Sequence, residues 1–307
     1  MSTAASVERK PRPRSKIGNA SEARAGLILA VPFLLLFALF TLWPVFQSMF
    51  MSFTDTRVTD IRTPFSVNFV GFQNYAKALA DPVFRRAALN TGVFVVVGVP
   101  LTIAAGLAAA VALDKGITRF RGVFRVGFYT PVITSIVAVA VVWRFLLQPD
   151  SGLVNTVLGL VGIDGPNWLG DTRTSLLSLI IMATWRNFGT GMIIFLAGLQ
   201  SVPWNLHEAA SLDGASSWQR FWNITLPLLR PTLLFVLVTT TIGYLQFFEE
   251  PFVMTQGGPL NSTISASMYT YNQFGFGNYG VAGAMAYMTF LVIVVVTIIQ
   301  FRLTREK

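Results

Sequence analysis

The 307-residue sequence contains no cysteine, a single histidine (His207) and few charged side chains. Without cysteine there is no disulfide framework and no thiolate metal site. One histidine supports neither a His-metal cluster nor the repeated histidines of H-E-x-x-H, and no Ser/Cys–His nucleophile arrangement stands out. Nothing matches G-x-x-x-x-G-K-[ST], so the phosphate-cradling loop of ATP hydrolysis is missing as well. Asp, Glu, Lys and Arg make up 12% of the residues, against about 25% in an ordinary globular domain. The chain is 53% hydrophobic with a mean hydropathy of +0.59. Too few polar side chains remain to cover a surface facing water, and the same numbers argue against disorder.

What is present is a series of long apolar runs. Stretches free of Asp, Glu, Lys and Arg occupy 25–54, 87–113, 126–143, 231–248 and 281–301, and 175–199 is interrupted only by Arg186. Each can cross about 30 Å of hydrocarbon as a helix, the third being the shortest. The sequence therefore predicts an all-α polytopic membrane protein with about six spans, 25–50, 87–113, 126–143, 175–199, 231–248 and 281–301. They form one membrane domain over 25–303, flanked by a basic tail (1–24) and a short tail (304–307). Polar residues ahead of the first span and the length of its apolar run make it a retained anchor rather than a cleaved signal peptide.

The net charge of +9 has a topological explanation. Counting Lys and Arg in alternate connections gives fifteen on one side (both tails, the 115–125 connection, and Arg220 with Arg230) and seven on the other. The basic side is cytoplasmic by the positive-inside rule, which puts both termini in the cytoplasm of a bacterial plasma membrane protein and leaves no basic patch for nucleic acid. On the outer side, 55–86, with Pro64, Gly71 and Asp81-Pro82, and 149–168, with Ser151-Gly152 and Gly165-Pro166, carry turn chemistry and read as structured polar loops.

The connection 200–230 is too punctuated to be a simple linker. Pro203 suits the first turn of a helix that Glu208, Ala209 and Ala210 continue. Asp213-Gly214 stops it, since glycine accepts the positive φ of a sharp reversal. Ser216 and Gln219 then have capping-box spacing, opening a second helix with Trp218, Phe221 and Trp222 that Pro227 and Pro231 interrupt. Glu208-Ala209-Ala210, three residues, Gly214, nine residues, then Ile224-Thr225-Leu226-Pro227 resembles the EAA loop of permease subunits of binding-protein-dependent ABC importers.

Other segments are similar to the carbohydrate branch of that family, the maltose, lactose and glycerol-phosphate type. They are Val31-Pro32, Trp43-Pro44, Ser52-Phe53-Thr54, residues 69–75 (FVGFQNY) and residues 254–259 (MTQGGP) with Thr263. The resemblance covers about 25–303 and is greatest to the larger maltose permease, without that protein's additional N-terminal spans and outer domain. It implies a type I importer permease that pairs with a second homologous permease, a heterodimer in this branch, although a homodimer stays open. It further implies two cytoplasmic ATPase subunits that hold the ATP and Mg, an extracytoplasmic solute-binding protein, and no cofactor bound by this chain. The residues carried over to ATPase coupling are Glu208, Ala209, Ala210, Asp213, Gly214, Ile224, Leu226 and Pro227. For His207, a solvated bystander beside Glu208 is the plainer reading.

An ionisable group inside a span is expensive, so Arg186 is a functional candidate. Trp185-Arg186-Asn187 combines an aromatic face with donors, as sugar recognition requires. In the fifth span, Thr240, Tyr244 and Phe247 share a face, with Gln246 nearby. These seven are the candidates for a sugar path. Helix packing for Tyr244 and Phe247, and for Arg186 an ion pair or snorkelling toward the outer interface, stay open beside it. Glu249-Glu250 favours a neutral sugar over glycerol phosphate, though Arg186 keeps the latter in view. A secondary carrier is the main rival, but no Asp or Glu lies inside a span and no inverted repeat is evident. A membrane-embedded enzyme using Asp150, Glu249 or Glu250 as acid or base leaves the EAA loop unexplained.

Overall fold

A computed structural model of the chain describes residues 20–62, 67–115 and 120–304. The helices in chain order are α1 (Ala20–Phe37), α2 (Trp43–Ser52), α3 (Gln73–Ala80), α4 (Pro82–Lys115), α5 (Arg121–Ile133), α6 (Ile136–Leu146), α7 (Leu153–Leu160) and α8 (Ser175–Gln200). They continue with α9 (Trp204–Leu212), α10 (Ser217–Arg220), α11 (Leu226–Leu228), α12 (Arg230–Leu245), α13 (Glu249–Met254), α14 (Ala266–Gly275) and α15 (Tyr279–Thr304). The described residues contain no strand, only an isolated antiparallel bridge between Thr54 and Phe69.

The chain divides into two units, residues 1–50 and 51–307. In the first, α1 runs through a π-helical turn, Ala38–Leu42, into α2. Its leucines and phenylalanines are exposed along its whole length, as on a helix whose solvent is lipid or another chain.

The second unit is built on α4 and α8, which pack along each other, with α12 against α4 and α15, α5 against α8, and α13 against α6. Two apolar clusters hold it together. One joins Phe94 and Val99 of α4 to Leu179, Ile180 and Met182 of α8 and to Tyr244 and Phe247. The rings of Phe94 and Phe247 stack at 3.9 Å. The other joins Ala110 and Leu113 to Met192, Phe195 and Leu199, with Leu229 and Val236 from the α12 side. The close approach of α5 to α8 needs a residue without a side chain: a Cβ on Gly189 would stand 2.2 Å from the carbonyl oxygen of Phe128.

Four helical segments, Gly26–Ser52, Pro82–Asp114, Ser175–Gln200 and Tyr279–Thr304, are long and apolar enough to cross a membrane unbroken, and two bent pairs raise the number to as many as six. The expected third span, 126–143, is not one helix. It is split between α5 and α6, which meet at 98°. Pro131 provides no N–H to the helix, and Thr134 folds its hydroxyl back onto the Thr130 carbonyl at 2.8 Å, a contact that bends helices. Thr134 and Ser135 are then extended. The fifth span also differs, ending at Leu245 rather than 248.

The connections expected to be loops contain helices of their own. α3 lies in 55–86 and α7 in 149–168. Beyond the fifth span, α13 opens on Glu249 and α14 follows among residues without charge. Side-chain amides tie these segments down. Buried Asn74 donates to the Ser52 and Thr54 carbonyls at 3.0 and 2.7 Å. Asn155 donates to the Pro149 and Pro166 carbonyls and accepts from the Trp168 indole N–H. Pro64 and the tail residues 1–19 and 305–307 lie outside the described residues.

Candidate functional site

Two regions carry the sequence-level candidates, the connection between α8 and α12 and a stretch along the two helices themselves. At the first, α8 ends at Gln200 and the chain forms α9, which begins at Trp204 with Pro203 as its N-cap rather than in its first turn. Glu208 and Ala209 are exposed and Ala210 half-buried. The helix stops at Asp213, and Gly214 takes φ +80. The reversal is closed by the Ala215 N–H on the Ala210 carbonyl at 2.9 Å and the Gly214 N–H on that of Ser211 at 3.2 Å, the bonding of a Schellman motif. The capping box forms as its spacing predicts: the Gln219 N–H donates to Ser216 Oγ at 3.2 Å and the Ser216 N–H to Gln219 Oε1 at 2.8 Å.

Beyond the cap the two halves of the loop diverge in burial. Ile224 belongs to a π-helical turn, Phe221–Thr225, and Leu226 and Pro227 form α11. Thr225 and Leu229 beside them are almost fully buried. The I-x-L-P half therefore roots the loop in the bundle beneath Phe195 and Leu199, while the E-A-A half stands free with Leu212 85% and Trp204 76% exposed. His207 lies beside Trp204, ring centroids 6.2 Å apart. Replacing Ser216 by alanine removes one bond of the capping box and is expected to cost about 1 kcal/mol. The matching measurement is a lower unfolding midpoint of the purified chain, with the lipid and detergent held constant.

Along the helices themselves, α8, α12 and the start of α13 enclose an open cleft of about 290 Å³. Six of the seven path candidates line it: Arg186, Asn187, Thr240, Tyr244, Gln246 and Phe247. Tyr244 and Phe247 are also core residues, 5% and 3% exposed, so they form its wall. The Tyr244 hydroxyl is bonded to Thr102 on α4 at 2.7 Å, and Thr102 to Thr184 on α8 at 3.3 Å, a polar tie linking the three helices behind the cleft. Trp185 does not belong with them. Successive helical residues point about 100° apart, and Trp185 turns to a separate apolar groove with Trp143, ring centroids 5.7 Å apart.

The structure adds residues that the sequence reading passed over. Thr190, one turn beyond Arg186, and Thr239 also line the cleft, and a four-residue spacing from Arg186 could have pointed to the former. Glu249 and Glu250, weighed above for their charge alone, line it too. α12 has already stopped at Leu245, and the two form the first turn of α13. Glu250 is 6% exposed, and burial pushes its carboxyl above the usual carboxylate range, with Glu249 adding to the shift and Arg186 opposing it. Arg186 Nη1 donates to Asn187 Oδ1 at 3.2 Å. Its Nε, like Glu250 Oε2, is buried with no hydrogen-bond partner. The described residues contain no group of acidic or histidine side chains arranged to hold a metal ion.

Residues 84–306 match the family of binding-protein-dependent transport system inner membrane components. The chain belongs to this family. As a permease of this kind it is embedded in the membrane and works with a solute-binding protein. It is 36% identical over 288 residues to the lactose transport system permease protein LacF of Rhizobium radiobacter, covering 92% of this chain and 94% of LacF. It is 32% identical to the trehalose/maltose transport system permease protein MalF of Thermococcus litoralis, covering 93% and 95% of the two chains. Among solved structures, the permease is similar to a chain of a bacterial alginate ABC transporter determined in complex with alginate pentasaccharide-bound periplasmic protein. The TM-score is 0.77 and the identity 25%, over 93% of this chain and 95% of that one.

Proposed function

We propose that this permease carries a neutral sugar, a di- or oligosaccharide, inward across the bacterial plasma membrane, driven by ATP that partner subunits hydrolyse. The observation that carries the reading is mechanical. α8 runs into the coupling loop and α12 runs out of it, and the same two helices form the walls of the polar cleft, Arg186 to Ile194 along one and Val236 to Tyr244 along the other. A push on the loop therefore moves the cleft walls. Exposed Glu208 and Ala209 with apolar neighbours suit docking into an ATPase groove, and buried Thr225 and Leu229, on either side of α11, transmit the displacement.

In this reading the loop 200–230 and both termini are cytoplasmic. Two ATPase chains hold the ATP and Mg, this chain binds no cofactor, and a second homologous permease completes the pathway. The solute-binding protein delivers cargo at the face bearing α7, α13 and α14. The cargo class is supported by the names of the relatives, lactose and trehalose/maltose among them, and by a lining that offers hydroxyls, amides and an aromatic wall. Glycerol phosphate fits less well, since one guanidinium faces two carboxyl groups in the cleft.

The test is uptake into proteoliposomes holding the permease with its cognate second permease, ATPase and binding protein, against a labelled panel of oligosaccharides, glycerol phosphate and amino acids. Uptake of a sugar that requires both ATP and the binding protein is expected. Uptake of glycerol phosphate alone would keep the machine and replace the cargo, and ATP-independent uptake would make the protein a secondary carrier.

A further inference from the structure

Arg186 and Glu250 pose a physical problem. Both line one small cleft, they carry opposite formal charges, and yet Arg186 Nε and Glu250 Oε2 are each buried without a hydrogen-bond partner. A buried polar atom left unsatisfied costs about 1–3 kcal/mol, and more when its group is charged. A direct ion pair would relieve both atoms. It is not made: Arg186 leans on its neighbour Asn187, and Glu250 is fixed in the first turn of α13. The two residues thus bring an unpaired donor and an unpaired acceptor to one cleft, each atom buried just beneath its lining.

We propose that Arg186 and Glu250 together select cargo by charge, taking a neutral polyhydroxylated ligand and discriminating against an acidic sugar such as a uronate. This rests on the importer reading above. A hydroxyl is both donor and acceptor. When cargo draws the two side chains out toward the cleft, neighbouring hydroxyls of a neutral sugar satisfy both atoms at once, accepting from Arg186 Nε and donating to Glu250 Oε2. A carboxyl oxygen accepts such a bond whether or not the group is protonated. An acidic cargo satisfies the guanidinium but brings its charge up to Glu249 and Glu250. A cationic cargo meets the reverse fault at Arg186. Only a ligand without net charge leaves neither side of the cleft uncompensated.

The experiment compares ATP-driven uptake of lactose, maltose and trehalose with uptake of the mono-uronate of each, in the complete transporter, for the wild type, Glu250→Gln and Arg186→Lys. Selection by the binding protein is common to all three and cancels when the uronate-to-neutral ratio of a variant is divided by that of the wild type. Glu250→Gln keeps an acceptor but removes the charge, and is expected to raise the ratio at least about tenfold, the worth of one interaction with a charged group. Arg186→Lys keeps the charge but loses Nε, and is expected to lower neutral uptake several-fold with less effect on the uronates. Ratios unchanged in both variants, or a wild type that carries uronates as well as neutral sugars, would overturn the selection assignment and leave the importer intact. Absence of ATP-dependent sugar uptake in the wild type would overturn the importer reading and this assignment with it. If one variant fails to assemble, the ratio in the other decides.

Discussion

Gly214→Pro and Glu208→Lys are each expected to abolish ATP-coupled uptake while the protein still inserts into the membrane. The two act on different parts of one device. Gly214 holds φ at +80, a value that the proline ring, fixed near −65°, cannot adopt. The reversal after α9 would open and the helix would lose its angle to the bundle. Glu208 is exposed on α9, so reversing its charge leaves the fold alone and changes only what the helix presents to a partner. Uptake and ATPase activity should both be measured at matched protein levels. Loss of uptake with ATP hydrolysis persisting is the signature of uncoupling, whereas wild-type transport in both variants would remove the loop from the mechanism.

The second large effect is structural. Gly189→Val is expected to prevent accumulation of folded permease, because the new Cβ would stand 2.2 Å from the Phe128 carbonyl oxygen. Backbone cannot yield there without separating α5 from α8. Overpacking a core typically costs about 1–3 kcal/mol, and this clash is with main chain, so the cost lies at the upper end or beyond. Gly122→Ala, on α5 but facing open space, is the control. Size-exclusion profiles of the two variants solubilised in mild detergent should differ sharply, with a monodisperse peak for the control and aggregate for Gly189→Val. A monodisperse Gly189→Val protein of wild-type thermal stability would show that the α5–α8 contact is dispensable.

Much of this architecture was legible from residue types and spacings, and the exceptions share a cause. Long uncharged runs disclose helices because hydrocarbon allows few alternatives. The loop 200–230 was legible because its signals are local: a capping box and a glycine reversal are each decided within six residues. On α8 the charge of Arg186 gave the signal and on α12 the periodicity of Thr240, Tyr244 and Phe247, and these residues line one cleft. Periodicity does not say which neighbour covers a face, so the turn of Trp185 toward Trp143 was invisible. It is equally silent about where an apolar run bends. The 126–143 stretch has the composition of one span, and only the conformations of Thr134 and Ser135 divide it. The burial of Glu250 within the cleft, as distinct from its charge, was missed for a related reason. Its place in the cleft depends on α12 stopping at Leu245 and on the path of 246–249, and no pattern of side chains in that stretch encodes the turn.

The early end of α12 has a wider meaning. Its sixteen residues span about 24 Å at 1.5 Å per residue, less than the roughly 30 Å of a hydrocarbon layer. Any helix that ends short of the far boundary leaves its last carbonyl groups with no lipid able to bond them. In α12 the chain meets part of that need itself: the Gly243 carbonyl accepts from the Gln246 N–H at 3.2 Å and the Tyr244 carbonyl from the Phe247 N–H at 3.4 Å. The shortness of a single helix thus sets a turn of backbone and the polar side chains that follow it, Gln246, Glu249 and Glu250, along the cleft lining in place of a further stretch of apolar helix.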